Sequence, residues 1–190
     1  MPQIIQLCRS TDPATMEAGA AKLQYIAERD GQVACNIVAA GGLRPLVAIL
    51  NIAKPDGDAD QTFTMQEVAV RAVHALCVGD ASNQRPVAEE GACGPLVKMC
   101  AEADHPWSIK EAAAIALARL AKEASGGPAQ EDITEKGGVP ILIGMYKEPD
   151  CPDAAREAVL HALRYLGQYN PAKEQMKKLG VLKVGGLTLK

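Results

Sequence analysis

The sequence predicts an all-α protein, an α-solenoid of about four stacked three-helix units. Three recurring marks support this prediction: a Glu near the start of an Ala-rich helix, a Gly that ends a short helix, and a Pro soon after that Gly. The marks return in the same order along the 190 residues. Repetition of one helical pattern at a fixed period is typical of solenoids, in which each unit packs only on its neighbours.

The first mark identifies the longest helix of each unit, which we call the third helix. The four Glu residues are spaced by 50, 44 and 46 positions, within the range of armadillo and HEAT units. Six residues after each Glu stands an apolar residue, followed by further apolar pairs at helical spacing. The predicted third helices are Glu17–Ala27, Glu67–Cys77, Glu111–Ala121 and Glu157–Gly167.

The second and third marks define a corner between two shorter helices. Each corner Gly stands four residues after an apolar anchor, and Gly favours the left-handed conformation that ends many helices. The corners are Gly41, Gly91, Gly137 and Gly180. The first helix precedes each corner, and the predicted second helices follow at Leu43–Leu50, Gly94–Cys100, Val139–Tyr146 and Val181–Leu189. Pro45, Pro95 and Pro140 stand in the first turn, where a missing N–H costs little.

This order of helices resembles the armadillo repeat. The stretches "IVAAGGLRPLVAIL", "VAEEGACGPLVKMC" and "ITEKGGVPILIGMY" look like its first-to-second helix segment, and "KEAAAIALARLA" resembles its third helix. The resemblance implies a right-handed superhelix with units at roughly 1–50, 51–100, 101–147 and 148–190. It also implies that the third helices line a concave groove in which an extended partner segment lies.

The repeat frame also assigns the segments outside these helices. Pro2–Cys8 resembles a second helix, so the sequence is expected to start and stop inside a unit, either as part of a longer array, with ends that dock on a partner, or with ends that fray. Ala53–Gln61 and Ser125–Pro128 are predicted surface loops. The first loop contains three Asp residues but lacks the spacing of a calcium loop. Phe63 and Trp107, each predicted just before a third helix, are expected to pack under inter-repeat loops.

Composition excludes several classes of function. The net charge is −3, so there is no basic field to attract nucleic acid, and no apolar run of 18 residues predicts membrane insertion. Residues 1–7 lack the basic and apolar regions of a signal peptide. The six cysteines form no paired framework and predict reduced thiols in the cytoplasm, with the nucleus or an organelle interior left open.

No catalytic, cofactor or metal site is predicted. In the repeat frame Cys8, Cys77, Cys93 and Cys100 occupy packing positions, where Cys acts as a small apolar residue. The spacing of Cys93, Cys100 and His105 matches no zinc pattern. The three histidines are placed beside no nucleophile by any motif. We therefore expect a protein without enzymatic activity; an enzyme would need catalytic residues outside this chain.

The predicted groove differs from that of importin-like armadillo proteins, in which a Trp and an Asn of each third helix grip the partner backbone. The Trp positions here are Ala21, Arg71, Ile115 and His161, and the Asn positions are Tyr25, Ala75, Arg119 and Tyr165. Between the two rows stand Gln24, His74, Ala118 and Arg164, and Lys122 follows one turn later. This departure argues against the importin mode of binding nuclear signals.

A different binding surface is predicted in its place. The candidate partner-binding residues are Tyr25, Arg71, His74, Arg119, His161, Arg164 and Tyr165. Tyr and Arg are enriched in interface cores, so the hypothesis is that an acidic or extended partner segment lies on this basic stripe. The competing interpretation is a solvated helix face. At the level of the whole protein, the leading prediction is a binding scaffold, and the alternative is a subunit built permanently into a large assembly.

Overall fold

The structure, a computed structural model, describes residues 1–53, 59–122, 127–181, 183–184 and 187–188. Twelve α-helices are present in this part of the chain, and they repeat in the predicted order. The second helices are α1 (Pro2–Leu7), α4 (Leu43–Leu50), α7 (Cys93–Ala101) and α10 (Gly138–Lys147). The third helices are α2 (Pro13–Ala27), α5 (Ala59–Gly79), α8 (Trp107–Ala121) and α11 (Asp153–Leu166). The first helices are α3 (Gly31–Ala39), α6 (Gln84–Glu89), α9 (Pro128–Glu135) and α12 (Asn170–Lys178), and a 3-10 turn at Ala81–Asn83 precedes α6.

Equivalent helices of neighbouring units pack side by side. The third helices contact one another in the order α2, α5, α8, α11, while second helix α7 packs on α4 and α10, and first helix α9 packs on α6 and α12. This arrangement is a solenoid with one continuous core. The third helices consequently form a single face, which we call the third-helix face.

The core consists mainly of small and aliphatic side chains. In α8, for example, Ile109, Leu117 and Leu120 are fully buried between Ala residues that are themselves buried. Ala takes little room and has the highest helix propensity, so helices that contain it on two faces can approach neighbours on both sides. Truncating one of these Leu residues to Ala in such a core typically costs about 2–5 kcal/mol.

The corner glycines behave as predicted. Gly41, Gly91, Gly137 and Gly180 have φ angles between 72° and 86°, and they are the residues with positive φ in the described part of the chain. At the first corner, the N–H of Gly42 donates to the carbonyl of Ile37 at 2.9 Å, the 6→1 bond of a Schellman motif. The left-handed Gly therefore ends each first helix and turns the chain into the next helix.

Buried amides and Asp side chains cap some of the other helix ends. Asp30 caps α3 by accepting from the backbone N–H groups of Gln32 and Val33. The fully buried Gln130 donates to the carbonyl of Ala121, the last residue of α8, at 2.9 Å. These bonds satisfy groups that a helix end leaves without a partner.

Several boundary predictions are wrong. Ala59, Asp60 and Gln61 lie in the first turn of α5 instead of a loop, while residues 54–58 of the predicted loop lie outside the described residues. Phe63 therefore lies inside the third helix, not before it. The predicted second helix Val181–Leu189 is not helical in its described residues: Lys183–Val184 (β1) pairs antiparallel with Leu187–Thr188 (β2). Of the second predicted loop, residues 123–126 are not described, and Pro128 begins α9.

No single helix within the described ranges has both the length and the hydropathy of a membrane span. Only α3 and α4 taken together reach them, as a pair bent by 82°.

Candidate partner-binding site

The seven predicted site residues all lie on the third helices, but they differ in exposure. Tyr25 is exposed, at 55%. Arg71, His161 and Arg164 are exposed, whereas His74, Arg119 and Tyr165 are partly covered. The small residues of the predicted rows, Ala75 and Ala118, are buried. The structure therefore brings the predicted residues to one face, and the side chains that protrude from it are mainly Tyr25, Arg71, His161 and Arg164.

Arg71 is paired within its own helix. Its guanidinium contacts the Glu67 carboxylate at 2.7 Å, and Ser108 of the next third helix donates to the other oxygen of that carboxylate at 2.8 Å. An exposed pair four residues apart stabilises a helix only by about 0.3–0.5 kcal/mol, so Arg71 can exchange Glu67 for a partner group at small cost. The net charge that Arg71 contributes to the face is nevertheless offset by Glu67.

Arg119 has a structural contact that the sequence does not reveal. Its Nε and Nη2 atoms donate to the backbone carbonyl of Cys77 at 3.0 and 2.9 Å. Cys77 lies near the end of α5, where carbonyl groups lack helical partners. Arg119 therefore links the third helices of the second and third units, in addition to any role on the face.

His74 lies at the centre of the third-helix face, on α5. Burial, and to a smaller degree the nearby positive charge of Arg119, lower the pKa of the imidazole, against the opposing effect of Glu28. A lowered pKa favours a neutral His74 at neutral pH. His74 therefore adds a polar, uncharged surface rather than the positive charge expected from a basic stripe. His161 on α11 lies 3.7 Å from the Glu157 carboxylate.

A cavity lies over His74, between α2, α5 and α8, and we call it the α5 pocket. Its volume is about 220 Å³. Its walls are formed by Gln24, Glu28, Arg71, His74, Ser108, Glu111, Ala112 and Ile115. The Glu111 side chain makes no hydrogen bond or ion pair with any residue that the structure describes. The pocket is not predictable from the sequence, because three different units supply its walls.

The third-helix face is also more acidic than the sequence predicts. The four Glu residues that define the repeat, Glu17, Glu67, Glu111 and Glu157, are all at least partly exposed. Because the third helices pack side by side, these carboxylates form an acidic row across the first half of the helices. Lys122 and Arg164, which are exposed nearer the ends of α8 and α11, make the other half basic in the last two units. The face is thus divided by charge rather than uniformly basic.

Tyr25 presents its ring together with Arg29. The Arg29 guanidinium, directly after the end of α2, lies over the ring at 4.0 Å from its centre in a cation–π contact. Such a pair offers a flat apolar surface beside a charge, a combination common in interface cores.

Cys8, Cys77, Cys93 and Cys100 are buried, as predicted from the repeat frame. All six thiols are free, and all except Cys35 are buried. Burial raises the pKa of the Cys77 and Cys100 thiols to about 12 and that of Cys8 to about 11. Thiols with such pKa values are almost entirely protonated at neutral pH and are poor nucleophiles and poor metal ligands.

His105 takes part in a polar cluster at the loop before α8. Its Nδ1 lies 2.9 Å from Glu102 and 3.8 Å from Asp104, and its Nε2 lies 3.3 Å from the amide oxygen of Gln66. Lys98 contacts the other oxygen of Glu102 at 3.3 Å. One ligand atom each of Glu102, Asp104 and His105 lies within 4.8 Å of the others, and through Gln66 the cluster connects the second and third units.

The two large aromatic residues pack at inter-unit loops, as expected. The Phe63 ring lies 5.0 Å from the ring of His105, in the loop before α8. Trp107, the first residue of α8, donates from Nε1 to Asp150 at 3.4 Å, in the loop before α11. Neither residue belongs to the third-helix face.

Stacked three-helix units of this kind define an α-solenoid, and solved structures identify the type of repeat. An engineered protein superposes with a TM-score of 0.81 at 24% identity, over 96% of this chain and 69% of its own. A designed armadillo repeat protein gives a TM-score of 0.80 at 22% identity, over 95% and 71%. Another, solved in complex with the peptide (KR)4, gives 0.79 at 22% identity, over 95% and 70%.

The chain therefore has the armadillo-repeat fold, a right-handed solenoid. No protein-family model matches the chain, and no curated protein sequence does. At these identities the likeness concerns the fold, and function must be argued from the site itself.

Proposed function

We propose that this protein is a non-enzymatic scaffold that binds an extended segment of a partner protein along its third-helix face. The observation that supports this most directly is the side-by-side packing of the four third helices. This packing leaves exposed polar and aromatic side chains, such as Tyr25, Arg71 and Arg164, on one common face. The designed armadillo repeat protein that was solved with a peptide has the same fold. A face built from repeated units offers repeated contacts, which suits a segment without secondary structure of its own.

The charge of the face suggests where acidic residues of the partner would lie. Lys122 and Arg164 are exposed and form no ion pair with any described residue, whereas Arg71 and Arg119 have partners within the protein. We therefore place the acidic part of the partner segment at the third and fourth units. Exposed charges of this kind contribute more to the rate and specificity of association than to affinity.

The same proposal covers the cellular compartment. Six free thiols in a chain of 190 residues are expected in a reducing environment, and the cytoplasm is the compartment we propose.

The test starts from a partner identified by affinity capture and mass spectrometry and then shortened to its binding segment. The double variant Tyr25→Ala, Arg164→Glu is expected to weaken binding of that segment at least about tenfold, about 1.4 kcal/mol. Arg44→Glu, on the exposed side of second helix α4, serves as the matched charge reversal and should leave affinity unchanged. Equal affinity of all three proteins would overturn the proposal.

The alternative, a subunit built permanently into a large assembly, gives a different result in the same experiment. The captured proteins would then resist shortening to one segment, and the isolated chain would self-associate on size-exclusion chromatography. A monomer that binds one short segment through the third-helix face excludes it.

A further inference from the structure

The α5 pocket contains an excess of negative charge. Glu28, directly after the end of α2, and Glu111 on α8 both line it, and Arg71, the one cationic residue among the described residues of its walls, is paired with Glu67. His74 forms its centre with a pKa lowered by burial and is therefore neutral at neutral pH. Glu28 accepts a hydrogen bond from the neutral amide of Gln24 at 2.8 Å, and neither the Glu28 nor the Glu111 carboxylate forms an ion pair with a described residue.

The rest of the pocket is apolar or neutral. Ala112 is buried, Ile115 is 36% exposed, and both line the wall next to Glu111. A long cationic side chain matches this combination, because Lys and Arg bury their alkyl stems on apolar surface while the charged end stays near water and carboxylates. An acidic side chain does not match, because it would bring a third negative charge next to the two carboxylates. A purely apolar side chain does not match either, because it would remove water from the carboxylates without replacing its hydrogen bonds.

From this geometry we infer that the α5 pocket binds a Lys or Arg side chain of the partner segment. The inference rests on the proposed function and specifies its partner: the segment is dipolar, with a basic residue at the pocket and an acidic residue at Arg164. Notably, a partner that is acidic throughout would fit only the last two units of the face.

The spacing of the two charges in the segment follows from helix dimensions. Neighbouring helices pack about 8–10 Å apart, and seven residues rise about 10 Å along a helix. Since Glu111 opens one third helix and Arg164 lies seven positions after the equivalent Glu157 on the next, the two sites are separated by roughly 14 Å. That separation corresponds to about four residues of extended chain.

The test is selection of randomised ten-residue peptides displayed on phage against the purified protein. The expected result is enrichment of Lys or Arg at one position and of Asp or Glu about four positions away. Peptides that bind the third-helix face without a basic preference would overturn the inference and leave the proposed function standing. If selection yields no peptide that depends on this face, both fail.

Exchanging the charges of Glu111 and of the peptide then tests whether the basic residue binds in the α5 pocket. Glu111→Lys is expected to weaken the affinity for a selected peptide about fivefold, which is the upper end of the range for one exposed charge pair. A peptide with its basic residue changed to Glu should bind the wild-type protein weakly, and its affinity for the Glu111→Lys variant should be higher. The Glu111 side chain makes no hydrogen bond or ion pair with another described residue, so folding is expected to persist, and circular dichroism checks it. Glu135→Lys on α9 is the matched control, and an equal loss there would contradict the assignment.

Discussion

Arg119 donates two hydrogen bonds to the main-chain carbonyl of Cys77, 42 residues earlier in the sequence. The contact connects the third helices of two neighbouring units at the face where a partner is proposed to bind. One side chain thus stabilises the stack and also lowers the pKa of the nearby His74.

Replacing Arg119 is therefore expected to destabilise the protein. Hydrogen bonds from a charged donor contribute about 1.5–3 kcal/mol, so Arg119→Gln should lower the free energy of unfolding by about 1–2 kcal/mol, given its partial exposure. Arg71→Gln removes only an exposed pair with Glu67 and should cost about 0.3–0.5 kcal/mol. Urea denaturation of both variants measures the difference. Equal midpoints would show that the Cys77 contact contributes nothing.

The titration of His74 should respond to its two charged neighbours in opposite directions. Its folded pKa lies below the ordinary value of 6.5, chiefly because of burial, so the unfolded chain binds a proton more readily. Stability is consequently lost as the pH falls below 6.5 toward the folded pKa. Arg119→Gln should raise the pKa of His74 and Glu28→Gln should lower it further. NMR titration of the His74 ring protons tests both signs, and shifts in the same direction would contradict the electrostatic account.

Two glycines should give opposite results when changed to Ala. A Cβ atom at Gly31 would lie 2.2 Å from the carbonyl oxygen of Gly79, so Gly31→Ala must displace backbone between α3 and α5. We expect a loss of about 2–3 kcal/mol. Gly144 is in α10 with no atom near its Cβ position, so Gly144→Ala should stabilise the protein by up to about 1 kcal/mol. Thermal unfolding of the two variants measures this, and a tolerated Gly31→Ala would refute the close approach.

Thiol reactivity should separate one cysteine from the others. Cys35 is partly exposed, whereas the remaining five are buried. A disulfide reagent at pH 8 is expected to modify Cys35 first and the others only as the protein unfolds. Peptide mapping by mass spectrometry identifies the modified residue. Rapid modification of Cys77 or Cys100 in the native protein would disagree with their raised pKa values.

The helices and corners were predictable because their causes are local. A Gly four residues after an apolar anchor requires no distant partner to adopt positive φ, and all four corners follow that rule. The start of α5 was not predictable in this way. Ala59–Gln61 belong to an Asp-rich stretch that favours a loop, yet they form the first turn of the helix. Propensity is a weak guide where packing on a neighbouring unit decides.

The site was predicted only in part, for the same reason. The repeat frame placed Tyr25 and Arg164 on the third-helix face, because equivalent positions of stacked helices lie on one side. The partners of Arg71 and Arg119 depend on side-chain direction and on contacts between units, which the frame does not contain. The α5 pocket likewise exists only once α2, α5 and α8 are packed together.

That the α5 pocket takes its walls from three consecutive units has a consequence for cooperativity. In a solenoid each unit is stabilised by its neighbours alone, so the two ends can unravel while the middle stays folded. A side chain bound between α2 and α8 needs all three of those units intact, and its binding energy is lost if any one of them opens. A ligand bound in the pocket would therefore make the unfolding of these three units more cooperative.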